Sequence, residues 1–358
     1  MRTRLAARVG LFALGAALAL GGAAGSAAAA AEPHYASRER MLMGTRFQIL
    51  ARVAEPRAEA ALEQALDRVA ALEQLWSPWI VGSEVQRINA HAGGEPVAVG
   101  AGTFALLERT LALCRATDRA FDPTFFPLTA VYDLRDPAHF RPPSAEDLAR
   151  IVPLVDCRQV ELDPARTTVR LARHGMGLHL GANAKGTALD EAARVLEAAG
   201  VVDYVVDGGG DIVARGQGPH GPWRVGIQDP RGPRGATVGV VATEGGGVAT
   251  SGDYERFAEV DGVRYSHIVV PRTGEVARGC MSATVVVPRG PRAGEVADGW
   301  ATVMCVLGPE RAFPLLLAAV PGASAAVITP DGVLHRTMGF KAALGAPGSG
   351  GGSGHGNR

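Results

Sequence analysis

Two Asp-Gly pairs set between strand-like runs constrain the fold of this chain most tightly. Asp261-Gly262 separates Phe257-Ala258-Glu259-Val260 from Val263-Arg264-Tyr265, and Asp331-Gly332 closes a second hairpin near the end of the sequence. Such pairs accept the positive φ angles of a two-residue reversal, so each predicts antiparallel neighbours. Further strand-like runs are Tyr204-Val205-Val206, Trp223-Arg224-Val225-Gly226-Ile227, Val238-Gly239-Val240-Val241 and Ala283 to Val287; residues 41–53 look like one opening strand. Between them lie helical patterns. Over 55–76, Ala58, Leu62, Leu66, Val69, Leu72 and Trp76 recur at helical spacing. Helices are also predicted over about 103–117, 186–199 with Gly200 as C-cap, 294–306 and 311–320, and Ser144 with Asp147 resembles a capping box. Helices mixed with antiparallel hairpins place the chain in the α+β class, with mixed and antiparallel sheets in two intertwined lobes around a cleft.

The N-terminus has the layout of an export signal. Arg2, Arg4 and Arg8 precede an apolar core, Leu11 to Leu20, and a small-residue run follows to Ala31. The expected organisation is a signal peptide over 1–31, one catalytic domain over 32–342, and a flexible Gly/Ser-rich tail over 343–358. The domain is then expected outside the cytoplasm, most simply in a bacterial periplasm, with membrane contact only if the signal stays uncleaved. Basic and acidic residues number 36 each, which argues against a nucleic-acid partner, because polyanion binding needs clustered cations. Cys114, Cys157, Cys280 and Cys305 lack Cys-x-x-Cys spacing. In an exported chain they form two disulfides or, since Cys114 and Cys305 fall in apolar helical patterns, stay as buried thiols.

Several side chains are candidates for chemistry. Asp298 and Thr302 are four apart in a helical pattern, so carboxylate and hydroxyl share a face and make a hard-oxygen pair suited to Mg²⁺; a solvated helix face reads the same way. Leu180-Gly181-Ala182-Asn183-Ala184-Lys185-Gly186 is a small-residue turn opening a helix, a place where backbone approaches a ligand and N–H groups face anions. His267 follows a hairpin, and an imidazole near its ordinary pKa accepts a hydroxyl proton at neutral pH.

These stretches together resemble the ApbE family of FAD-dependent flavin transferases. Ser266-His267-Ile268-Val269-Val270-Pro271-Arg272-Thr273-Gly274 is similar to the family's His-Ile-Ile-Asp-Pro-x-Thr-Gly, with Val270 where the family writes Asp. Ala297-Asp298-Gly299-Trp300-Ala301-Thr302 resembles its Ala-Asp-x-x-Ala-Thr, and the turn at 180–186 its Asp-Leu-Gly-Gly-Ile-Ala-Lys-Gly, with His179 at the Asp position. Phe121-Asp122-Pro123-Thr124, Ser77-Pro78-Trp79, Met43-Gly44-Thr45 and Gly209-Gly210-Asp211 complete the set in family order.

The resemblance implies transfer of FMN from FAD, the substrate, to a Thr or Ser hydroxyl of an acceptor flavoprotein subunit, expected to be a membrane respiratory protein, with release of AMP. It implies Mg²⁺ held by Asp298, Thr302 and the Ala182 carbonyl, and His267 as the catalytic base. Met43, Trp79, Ala120, Phe121, Asp122, His179, Lys185 and Val269 are the implied cofactor contacts. A non-catalytic FAD-binding module and an FAD pyrophosphatase are the alternatives in other functional classes.

Overall fold

The computed structural model describes residues 34–344 except Glu55; the expected signal peptide and nearly all of the expected tail lie outside them. The chain opens with β1 (His34–Leu42) and β2 (Thr45–Val53), a hairpin where the sequence suggests one strand over 41–53. The reversal falls on Met43 and Gly44, with φ of 50° and 74°. A methionine in that region is uncommon, so the turn carries no strong sequence signal. Next come α1 (Pro56–Trp76), α2 (Glu84–Ala90), β3 (Val97–Ala98), α3 (Ala101–Ala116), α4 (Ala145–Ile151), β4 (Val160–Asp163) and β5 (Thr168–Leu171). The capping box of α4 forms as expected, Ser144 and Asp147 bonding each other's backbone N–H.

After α5 (Ala184–Ala198) the chain is mainly strand: β6 (Tyr204–Gly208), β7 (Asp211–Arg215), β8 (Gln217–Gly218), β9 (Gly221–Gln228), β10 (Thr237–Thr243), β11 (Gly245–Gly252), β12 (Phe257–Val260), β13 (Val263–Ser266) and β14 (Ser282–Pro288). It finishes with α6 (Ala293–Leu307), α7 (Pro309–Ala319), β15 (Ser324–Ile328), β16 (Leu334–Arg336) and β17 (Ala342–Leu344). The final strand pairs with β10, so the paired chain runs to Leu344.

An eight-stranded antiparallel sheet, ordered β1-β2-β6-β7-β11-β14-β15-β16, is the centre of the α+β fold. Alternation along its strands feeds two cores. Phe47, Ile49, Tyr204, Val206 and Val213 join a core with α1 and α5, and Ala283, Val285 and Val327 join a second with α6. From the opposite face, Ile212, Ala214, Val248 and Ile328 pack on Trp223, Ile227 and Val241 of the second sheet, β17-β10-β9-β8. The excursion between α1 and α5 adds α3 and the small sheet β3-β5-β4.

Both cysteine pairs are disulfides. Cys114 on α3 joins Cys157, and Cys280 before β14 joins Cys305 on α6. The apolar helical setting that suggested free thiols for Cys114 and Cys305 is real, since both are buried. Each buried sulfur meets a partner from a distant loop, which helical periodicity cannot reveal.

Candidate active site

The site is built where α5 crosses α6. A Cβ on Gly186 would fall 2.2 Å from the Gly294 carbonyl oxygen, so glycine alone lets the backbones meet. The contact aims three groups. The Gly186 N–H donates to Asp298 Oδ2 at 2.9 Å. One turn on, Asp190 accepts from the N–H groups of Gly294 (2.9 Å) and Glu295 (2.8 Å), capping α6 from the neighbouring helix. Lys185 pairs with Asp211 at the start of β7. The Glu295 carboxylate takes both Nε and Nη2 of Arg109, each at 2.7 Å, fastening α3 to the same crossing.

Thr302 lies one turn after Asp298, and its hydroxyl is 3.5 Å from that of Ser251 on β11. The spacing argument therefore holds, but the face is interior: Asp298 is buried in a helix with few polar neighbours. Burial pushes its carboxyl well above the usual range; Lys185 opposes that, and Asp211 adds to it. The same burial works against the Lys185 ammonium, yet Asp211 and Asp298 outweigh it and hold the lysine charged.

This donor set fits a small hard cation. It offers a buried carboxylate short of positive charge and hydroxyls on the same side. Ala182 sits in the turn before α5, half-buried against the core that holds α6. Beside it, Asn183 Oδ1 is buried with no hydrogen-bond partner among the described residues, while its Nδ2 donates to Thr110 Oγ1 at 2.8 Å.

His267 lies in the segment after β13, near enough to Lys185 for that charge to act on its ring. Its backbone N–H donates to the Arg256 carbonyl at 3.0 Å, and Nδ1 lies 3.3 Å from the same oxygen. That contact assigns the proton to Nδ1 and leaves the Nε2 lone pair open. The ring reaches solvent at the cleft surface, yet desolvation by surrounding protein, aided by Arg256 and Lys185, lowers its pKa to about 4. It is unprotonated at neutral pH.

His179 has a matching environment, its pKa lowered to about 4 by burial first and by Arg256 second. Its Nδ1 accepts from the Gly181 N–H at 3.0 Å, which puts the hydrogen on Nε2. Phe125 lies 5.0 Å away, and Trp79 and Phe126 each 6.4 Å, measured between ring centroids. Trp79 is 62 % exposed, an aromatic face free for stacking.

Other expected contacts divide. The Met43–Gly44 turn reaches the cleft, since a Cβ on Gly44 would lie 3.5 Å from Arg256 Nη2. Ala120 and Phe121 are buried, Phe121 among the residues packed on α6. Asp122 is buried and engaged by protein: Oδ1 accepts from Thr124 N–H (3.0 Å) and Oγ1 (2.6 Å), and Oδ2 from Cys157 N–H and Arg119 Nε, both at 3.1 Å. It fixes the loop that carries the aromatic wall. Val269 packs on Leu128, Ile151 and Val155. Val270 is partly buried against the core around α6, and its carbonyl receives the Gly274 N–H at 2.8 Å, so the position taken by Asp in the family closes a turn here.

Ser251 falls in Thr250-Ser251-Gly252-Asp253-Tyr254, a stretch that belongs with the His267 segment in the family resemblance. Sequence reasoning missed the roles of Asp211, named only within a Gly-Gly-Asp turn, and of Arg256, which lies just beyond that stretch.

Residues 43–327 match the ApbE family. The chain belongs to the ApbE family, a family of enzymes. It is 35% identical over 334 residues to the FAD:protein FMN transferase of Treponema pallidum, covering 88% of this chain and 90% of the relative. With the enzyme of that name from Klebsiella pneumoniae it shares 31% over 276 residues, 75% of this chain and 78% of the relative. The ApbE protein of Thermotoga maritima superposes with a TM-score of 0.76 at 28% identity, covering 85% of this chain and 97% of that one. The flavinyl transferase ApbE of Pseudomonas stutzeri, in its apo form, gives 0.74 at 28% identity over 86% and 96%.

Proposed function

We propose that this chain transfers the FMN half of FAD to a Thr or Ser hydroxyl of an acceptor protein, forming a phosphoester and releasing AMP. The observation that carries the proposal is the meeting of Asp298, Thr302, Lys185 and an unprotonated His267 in one cleft. The acceptor oxygen forms a bond to the FMN-side phosphorus, and the bond from that phosphorus to the bridging oxygen breaks, leaving on AMP. The hydroxyl proton passes to His267 Nε2, whose partner nitrogen is held by the Arg256 carbonyl. Asp298, Thr302 and the Ala182 carbonyl would hold Mg²⁺, whose charge when bound offsets that of the phosphates and the departing AMP. Lys185, kept charged by Asp211, stands beside the same carboxylate. Trp79, His179 and the Phe125–Phe126 pair offer aromatic faces for the flavin or adenine ring.

The acceptor is proposed to be a membrane respiratory subunit, entering as an extended segment. The place of action is proposed to be the periplasm; the leader-like N-terminus and two disulfides support it, because disulfides persist in oxidising compartments. Among the described residues no helix is long and apolar enough to cross a membrane. The test is AMP release from FAD with Mg²⁺ and acceptor. Asp298→Ala is expected to abolish it, and His267→Ala to slow it about 100-fold or more while sparing FAD binding. Unchanged turnover in both variants would refute the proposal.

A further inference from the structure

The cleft holds two cations from this chain, Lys185 and Arg256, and they differ in one respect. Lys185 is already paired with Asp211. Arg256 makes no ion pair among the described residues. Asp253, three residues before it, is committed elsewhere: both its oxygens accept from Arg231, each at 2.7 Å, and Arg264 stands 3.6 Å away. The guanidinium is exposed and flanked by the Met43–Gly44 turn. It lies close enough to His179, His267 and Lys185 for its charge to act on all three. Arg256 is thus a cation beside two neutral imidazoles, its guanidinium engaged by no carboxylate among the described residues.

We propose that Arg256 is the anion clamp of this site, its guanidinium binding the pyrophosphate of the substrate while its backbone carbonyl separately orients His267. The inference rests on the reading of FAD as substrate. A pyrophosphate diester carries two negative charges, and the planar fork of arginine matches two phosphate oxygens at once. The two roles belong to different atoms of one residue, so a side-chain substitution separates them.

The experiment measures FAD affinity by quenching of flavin fluorescence, without acceptor, at low and high salt, for the wild type, Arg256→Gln and Arg256→Lys, together with the pH dependence of kcat. Arg256→Gln is expected to weaken FAD binding about 10- to 100-fold and to flatten its salt dependence. Arg256→Lys should restore part of both. Under Arg256→Gln the acid limb of the kcat profile should move to higher pH, because the guanidinium charge that helps lower the His267 pKa is lost, whereas Arg256→Lys keeps that charge and should leave the limb near its wild-type position. A loss of affinity with unaltered salt dependence, no rescue by lysine, or a Kd within twofold of the wild type would overturn the clamp. Failure of the wild type to bind FAD would instead overturn the assignment of the substrate.

Discussion

At the scale of residues, the chemistry depends on keeping two imidazoles neutral and one buried lysine charged. His179 and His267 both titrate near 4 in the folded chain, whereas an unfolded histidine does so near 6.5. Between those values the unfolded state binds protons that the folded state does not, so stability falls as pH drops through that window. His179→Gln should therefore shrink the difference between urea midpoints measured at about pH 4.5 and pH 7. An unaltered difference would mean that His179 is not held neutral. Asp298, Thr302, Lys185 and His267 were legible because each sits in a short stretch whose residue types already match a chemical task. Arg256 and Asp211 were not, since their roles arise from loops brought together by folding. Asp122 shows the converse: a polar residue in a recognisable stretch whose oxygens serve the loop itself.

Among the elements, the crossing of α5 and α6 carries the site. Gly186→Ala would gain helix propensity, about 1 kcal/mol, but its Cβ would sit 2.2 Å from the Gly294 oxygen. The helices must then separate, which moves the Gly186 N–H away from Asp298. We expect a net loss of about 1–3 kcal/mol by denaturant titration, with a larger fractional loss of AMP release. Equal activity would show that the close approach does not position Asp298. The Cys114–Cys157 bridge closes a loop of 43 residues, and replacing both cysteines by alanine should lower stability by about 4 kcal/mol, read from thermal and urea midpoints. Long periodic helices were evident in the sequence, as was the hairpin at Asp261-Gly262, whose φ values are 51° and 74°. Strand β11 was hidden by its glycines. A run of Gly245-Gly246-Gly247 reads as loop, yet a Cβ on Gly247 would lie 2.2 Å from the Ala293 carbonyl, so α6 demands glycine there.

Over the whole molecule, the central sheet serves as a rigid floor. On its helical face lie α5 and α6, and the hairpin and loop residues that complete the cleft come from segments as far apart in sequence as Met43 and His267. The α+β class followed from local signals, but the order β1-β2-β6-β7-β11-β14-β15-β16 did not. The two strands next to β11 are β7 and β14, neighbours that no sequence proximity announces. What the molecule does is tested most directly by mass spectrometry of an acceptor protein incubated with the purified domain, FAD and Mg²⁺. The account predicts a mass gain equal to one FMN on a single Thr or Ser, with AMP released in equal amount. Free FMN and AMP with an unmodified acceptor, under conditions where an active family member modifies it, would contradict the account.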